Sequence, residues 1–309
     1  MKTPRLQIAC LLLAVLTIAE TGCRAIRRFG DNRQSIAARR LSGQGFQAMH
    51  DGQWDIAENL FTDALDVSKA DDRAHWGLAE SFWNRGEREL AIKHMQQAVH
   101  LSAGDSKFVQ RLGRMYLEVG QLEEAEKNSL LALESKRDSA AAWALRGDCL
   151  KAKGHIQDAL AAYHRALALQ PDFPEVQLQT AEIYQGENRY DRVLATLDRL
   201  QDGVGVDEAP ARVDLLQGIA MRQLGRTEEA RRCFARASVK DPEDATPHLE
   251  LASLALEQGN IALAKDSLSL GLQLNPDSVH EGQRMVQLKN QHERLARQPD
   301  LVIEDAQRR

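Results

Sequence analysis

The sequence predicts an all-α fold built from about seven consecutive helix pairs, followed by one further C-terminal helix. Three observations carry that expectation: a composition of helix formers, an alanine recurring every 34 residues, and glycines at fixed distances from that alanine. Hydrophobic residues make up 43% of the chain but aromatics only 5%, so the apolar content is largely Ala and Leu. These two residues lose least on entering a helix.

The N-terminus reads as a targeting segment spanning residues 1–22. Lys2 and Arg5 precede an apolar run of 12 residues, Ile8 to Ala19, too short for the roughly 20 that span a bilayer. Thr21-Gly22-Cys23 resembles the end of a bacterial lipoprotein signal, although Glu20 stands where an apolar residue is usual. That resemblance implies a lipid on Cys23 and attachment to the envelope facing the periplasm. Arg24, in place of an aspartate that retains some lipoproteins at the inner membrane, favours the outer membrane. The alternative is cleavage after Ala19 and release as a soluble secreted or periplasmic protein. Residues 23–37 form a basic tether. Residues 1–40 hold 8 bases and 2 acids, leaving 32 bases against 43 acids, a net −11. A body of that sign repels nucleic acid, which is excluded as a partner.

The repeated elements follow in order. Alanine stands at 57, 91, 125 and 159, Val193 takes the next place, and after three extra residues the series resumes at Ala230 and Ala264. Seven units result: 38–71, 72–105, 106–139, 140–173, 174–207, 211–244 and 245–278. Five residues before each anchor stands a glycine, or Asn188 in the fifth unit. Both residue types tolerate the left-handed backbone that ends one helix before the next. Small residues twelve before and seven after the anchor, such as Gly147 and Ala166, let two antiparallel helices approach closely. Pro171, Pro242 and Pro276 close three units. Beyond the last unit, Met285, Leu288 and Leu295 share one face of a predicted capping helix over 279–298, and 299–309 is a polar tail.

The stretch AWALRGDCLKAKGHIQDALAAYHRALALQPD carries Trp143, Gly147, Gly154, Ala159, Tyr163, Ala166 and Pro171 in order. With its registered copies it resembles the tetratricopeptide repeat family over residues 38–278. The resemblance implies a right-handed α-solenoid of helix pairs in which each repeat buries its apolar face on its neighbours. It also implies a scaffold for other proteins rather than an enzyme. The fifth unit departs most, and the insertion DGVGVDEAP predicts either a change of curvature or a surface loop.

Catalytic signatures are absent from the sequence. It holds no GxxxxGK[ST] loop, GxSxG elbow, HExxH or CxxC motif. The nine histidines lie in different repeats without ligand spacing, so no metal and no cofactor is expected. Cys149 and Cys233 sit two units apart and are expected as free, semi-buried thiols.

Function is therefore expected on a face or groove. The family's inner positions select Phe46, Met49 and His50 from the first unit, Arg73, Trp76, Trp83 and Asn84 from the second, and Lys107, Arg111 and Arg114 from the third. Aromatics beside arginines are the residue types enriched at interaction hot spots. They suit a partner peptide or helix with an apolar anchor and an acidic segment. Two readings stay open for Trp76 and Trp83, exposed in the groove or packed between repeats. The family's carboxylate clamp is only half matched, by Lys107 and Arg111, because Ser42, Phe46 and Gly77 occupy its other positions. Further along, the same positions give Leu178, Glu182, Leu215, Ile219, Leu249, Glu250 and Glu257, an aliphatic and acidic section. A long partner or a second copy of this chain fits such a two-ended surface. A periplasmic module for an acidic glycan or lipid is the alternative of a different class.

Overall fold

The computed structural model describes residues 33–278. The targeting segment, Cys23, most of the basic tether, the capping helix and the polar tail lie outside the described residues. Among the described residues every regular element is helical.

Among the described residues fourteen α-helices run in pairs, with one short 3-10 turn at Pro276–Ser278. The first pair is α1 (33–50) with α2 (Trp54–Val67). Next come α3 (Asp72–Asn84) with α4 (Arg88–Leu101), and α5 (Ser106–Glu118) with α6 (Leu122–Ser135). Then α7 (Ala140–Ala152) with α8 (Ile156–Leu169), and α9 (Pro174–Gly186) with α10 (Tyr190–Val204). The series closes with α11 (Ala211–Gln223) and α12 (Thr227–Lys240), and with α13 (Thr246–Glu257) and α14 (Ile261–Leu274). The chain divides into two compact units, one ending at Ala162 and one starting at Tyr163.

The sequence columns have direct structural counterparts. The anchors Ala57, Ala91, Ala125, Ala159, Val193 and Ala230 are fully buried, and Ala264 nearly so. The turn column adopts left-handed backbone throughout, with Asn188 at φ 58° in the one pair that lacks glycine there. Helix starts are fixed locally. The Asp71 carboxylate accepts from the backbone N–H groups of Arg73 and Ala74 at 3.0 Å, and Ser139 caps α7 through Ala142.

Aromatic rings stand over the small residues of neighbouring helices. Phe61, fully buried on α2, packs against both Gly45 on α1 and Gly77 on α3. A Cβ at Gly77 would lie 2.2 Å from the ring, so only glycine admits Phe61 at this spacing. Phe234 on α12 meets Gly218 on α11 in the same manner, with 2.5 Å to a built Cβ.

The insertion before α11 is a pinned surface segment. Lys240 on α12 donates to the carbonyls of Val206 and Ala209 at 2.5 and 2.8 Å. The same ammonium pairs with Asp214 at 2.7 Å, and Arg236 holds the other carboxylate oxygen at 2.8 Å. Asp214 is fully buried, and two cations compensate it there.

Candidate partner-binding site

In the first compact unit the odd-numbered helices bring their aromatics together. Phe46 on α1 packs edge-on to Phe61 with ring centroids 4.9 Å apart and lies 4.6 Å from Trp76 on α3. Trp76 in turn lies 5.4 Å from Phe108 on α5. This row ties three first helices side by side, each ring supplying apolar area and a favourable tilted contact. Phe46, Met49, Trp76 and Trp83 are all half-buried, which answers the two readings of the tryptophans with an intermediate. Part of each side chain joins the core and part remains at the surface.

The charges divide into two groups. Glu80 on α3 accepts from Arg111 Nε and Nη2, both at 2.7 Å, and from Trp76 Nε1 at 3.0 Å. Arg111 also lies 3.6 Å from Glu118. Its guanidinium is thus held by a bidentate pair and keeps its proton more tightly than usual; burial opposes this and the Glu80 and Glu118 contacts prevail. Arg111, expected as a partner contact, is paired with Glu80 in this structure. Trp83 is also engaged, with Arg88 4.1 Å and Arg111 5.4 Å from its ring. By contrast Arg73, Asn84, Lys107 and Arg114 are exposed. Among the described residues Arg73, Lys107 and Arg114 have no carboxylate partner; Arg73 leans on Phe46 at 5.5 Å. Arg73 therefore borders the half-buried ring of Phe46, while Lys107 and Arg114 stand exposed on α5, the helix that carries Phe108.

The section expected to be aliphatic and acidic differs from that expectation. Leu215 and Leu249 are buried and belong to the core. Glu250 pairs with Arg222 at 2.5 Å, and Glu257 pairs with the same guanidinium. Glu182 meets Arg212 at 3.3 Å. Those acids join adjacent repeats.

Two features escaped sequence reasoning. His75 on α3 and His94 on α4 meet with ring nitrogens 3.1 Å apart, beside Phe82. Burial, with His75 and Lys93 nearby, pushes His94 down to about 4. The two lie 19 residues apart, a spacing that only the antiparallel helix pair converts into contact. The other feature is a basin in the second unit, bordered by α8, α9 and α10. Among the described residues no cluster of His, Cys, Asp and Glu has metal-binding geometry, and no helix is long and apolar enough to cross a membrane. Cys149 and Cys233 are buried free thiols.

A tetratricopeptide repeat profile matches residues 48–106, 111–172 and 215–279, and a second profile of the same description matches 150–212. The chain belongs to the tetratricopeptide repeat family. Its fold is the α-solenoid of that family, a protein-interaction scaffold. TPR repeat-containing protein YpiA of Bacillus subtilis (strain 168) is 24% identical over 230 residues, covering 74% of this chain and 45% of YpiA. The chain thus spans about half the length of that relative. Lipopolysaccharide assembly protein B of Escherichia coli (strain K12) is 26% identical over 267 residues, 82% of this chain and 67% of that protein. Among solved structures, PilF of Pseudomonas aeruginosa superposes with a TM-score of 0.62 at 19% identity, covering 69% of this chain and 96% of PilF. That likeness concerns the fold.

Proposed function

We propose that this tetratricopeptide repeat chain is a non-enzymatic adaptor of the bacterial envelope, anchored by a lipid on Cys23. It holds partner peptides or helices on the face formed by α1, α3 and α5. One observation carries the reading: Phe46, Trp76 and Trp83 are half-buried on α1 and α3, Arg73 lies 5.5 Å from the Phe46 ring, and Lys107 and Arg114 are exposed on α5 without a carboxylate partner among the described residues. An apolar side chain of the partner adds to the ring floor while its acidic groups meet the rim cations. Arg111 and Glu80 act as positioning residues that fix Trp76 and Trp83. The similarity to Lipopolysaccharide assembly protein B supports an envelope setting, as does the Thr21-Gly22-Cys23 sequence.

A photo-crosslinking residue placed at Asn84 tests the face in cells. Specific protein adducts are expected, lost when Arg73→Glu and Arg114→Glu are combined, and absent when the crosslinker sits at exposed Gln97 on α4. Identical adducts with and without the charge reversals would refute the assignment. The anchor is tested by the intact mass of the N-terminal fragment, wild type beside Cys23→Ser. A diacylglycerol-plus-acyl increment lost in the variant is expected; an unmodified chain starting at Glu20 would make this a soluble secreted adaptor.

A further inference from the structure

The second unit holds a site independent of that face. Residues of α8, α9 and α10 enclose an open basin of about 830 Å³, within the size range of small-ligand sites. Ala168 on α8 and Ala195 and Thr196 on α10 are among its lining residues, and larger side chains at these places would narrow it.

Most of the other arginines of this unit are paired. Arg189, Arg212, Arg222 and Arg236 each have a carboxylate partner. Arg192 and Arg199, both exposed and both lining the basin, have none among the described residues. They stand seven residues apart, two turns of α10, so they share one stripe at about 10 Å separation. Tyr184 and His164 also line the basin, joined by a 3.0 Å contact between the hydroxyl and Nε2. The Arg192 guanidinium lies 5.7 Å from the Tyr184 ring. Asp172 and Asp202 border the far end beside Gly203, which keeps a third anionic group out.

We propose that this basin binds an extended acidic peptide segment whose two carboxylates, three residues apart, pair with Arg192 and Arg199. The spacing is the reason for this ligand. A polyproline II segment repeats every three residues with about 3.1 Å rise, so side chains at i and i+3 project together about 9 Å apart. That matches the two guanidiniums, and the small-residue trough between them leaves room for the intervening backbone.

His164 supplies the reporter. Its ring faces Arg192, the hydroxyl of Tyr184, and Arg189, which is itself paired with Glu187. Partial burial and the two arginines hold the imidazole below its ordinary value. A carboxylate seated on Arg192 offsets that field and shifts the ring resonance toward the protonated position.

The experiment uses the full chain with ring-13C histidine, titrated at constant ionic strength with acetyl-Glu-Pro-Pro-Glu-Pro-amide. The His164 signal is identified by its loss in His164→Gln. It is expected to move saturably while the signals of His50 and His75 stay in place. Arg192→Gln and Arg199→Gln are each expected to weaken binding about tenfold, the scale of one charge-assisted hydrogen bond. Both residues are exposed, so unchanged helicity is expected for the variants. The peptide with Gln in place of both Glu residues is expected not to bind. A stationary His164 signal at millimolar peptide would overturn the proposal, as would wild-type affinity in both arginine variants. An equal response to inorganic phosphate would also overturn it, because the site would then read charge without the peptide spacing. Loss of partner adducts at Asn84 would leave this result untouched, since Arg192 and Arg199 belong to the other unit.

Discussion

Gly77→Ala is the sharpest test of how this fold is assembled. In a solvent-exposed helix interior that exchange stabilises by about 1 kcal/mol, because alanine restricts the unfolded chain and favours the helix. Gly43, exposed on α1 with nothing within 4 Å of a built Cβ, provides that case. At Gly77 the new methyl would meet three atoms of the Phe61 ring at 2.2 to 2.4 Å, more than 1 Å inside ordinary contact. Phe61 is fully buried and already touches Gly45 on its other side, so the ring has no space into which to retreat. Overpacking of this kind costs about 1–3 kcal/mol, and the overlap places Gly77 toward the upper part of that range. After the propensity gain, a net loss of about 1–2 kcal/mol is expected. The two alanine substitutions should therefore differ by roughly 2–3 kcal/mol in urea unfolding followed by far-ultraviolet circular dichroism. Phe61→Leu removes the clashing ring, so the double variant with Gly77→Ala should be no less stable than Phe61→Leu alone. A Gly77→Ala chain as stable as the wild type would refute the reasoning, because it would mean the α2–α3 spacing adjusts freely.

Other expectations follow from the same packing. His94 titrates near 4 in the fold against an ordinary 6.5, so folding favours the neutral ring. Its contribution is fully present above pH 6.5 and is lost as the pH falls toward 4; His94→Gln should flatten stability over that window in thermal melts at stepped pH. Burial raises the Cys149 thiol to about 11 and raises Cys233 as well, so alkylation followed by mass spectrometry should label neither until denaturant is added. Rapid labelling under native conditions would contradict their buried placement. Lys240→Met removes one of the two cations on buried Asp214 and should cost about 3 kcal/mol. It should also expose the 205–210 segment to limited proteolysis, and unchanged cleavage would argue against the anchor.

Much of this architecture is legible in one dimension because repeat packing imposes it at fixed intervals. A small anchor must sit where two helices touch, and a left-handed residue must sit where one helix turns into the next. Both requirements recur every 34 residues, so alanine and glycine columns display them even where Val193 and Asn188 substitute. The aromatic part of the candidate face was legible for the same reason. Its charge pattern was not. Arg111 and Glu80 are 31 residues apart, and Arg222 and Glu250 are 28 apart, so each pair links neighbouring repeats. Assigning positions one repeat at a time gives the face a residue occupies but not the partner that the next repeat supplies. The basin escaped because its lining comes from three successive helices, and the second-helix residues Arg192 and Arg199 lie outside the repeat's inner positions.

The pinned insertion bears on how such chains change length. Most positions of a periodic array reject an added residue, since every later contact would fall out of phase. Between residues 205 and 210 the phase is restored by clasping both flanks of the segment to one lysine, with Asp207 and Glu208 left at the exposed tip. An added sequence at that tip inherits fixed ends, so the helices before and after it need not shift. The segment is thus a natural splice point, where a tag or a small folded module can be grafted while the repeats on either side keep their register.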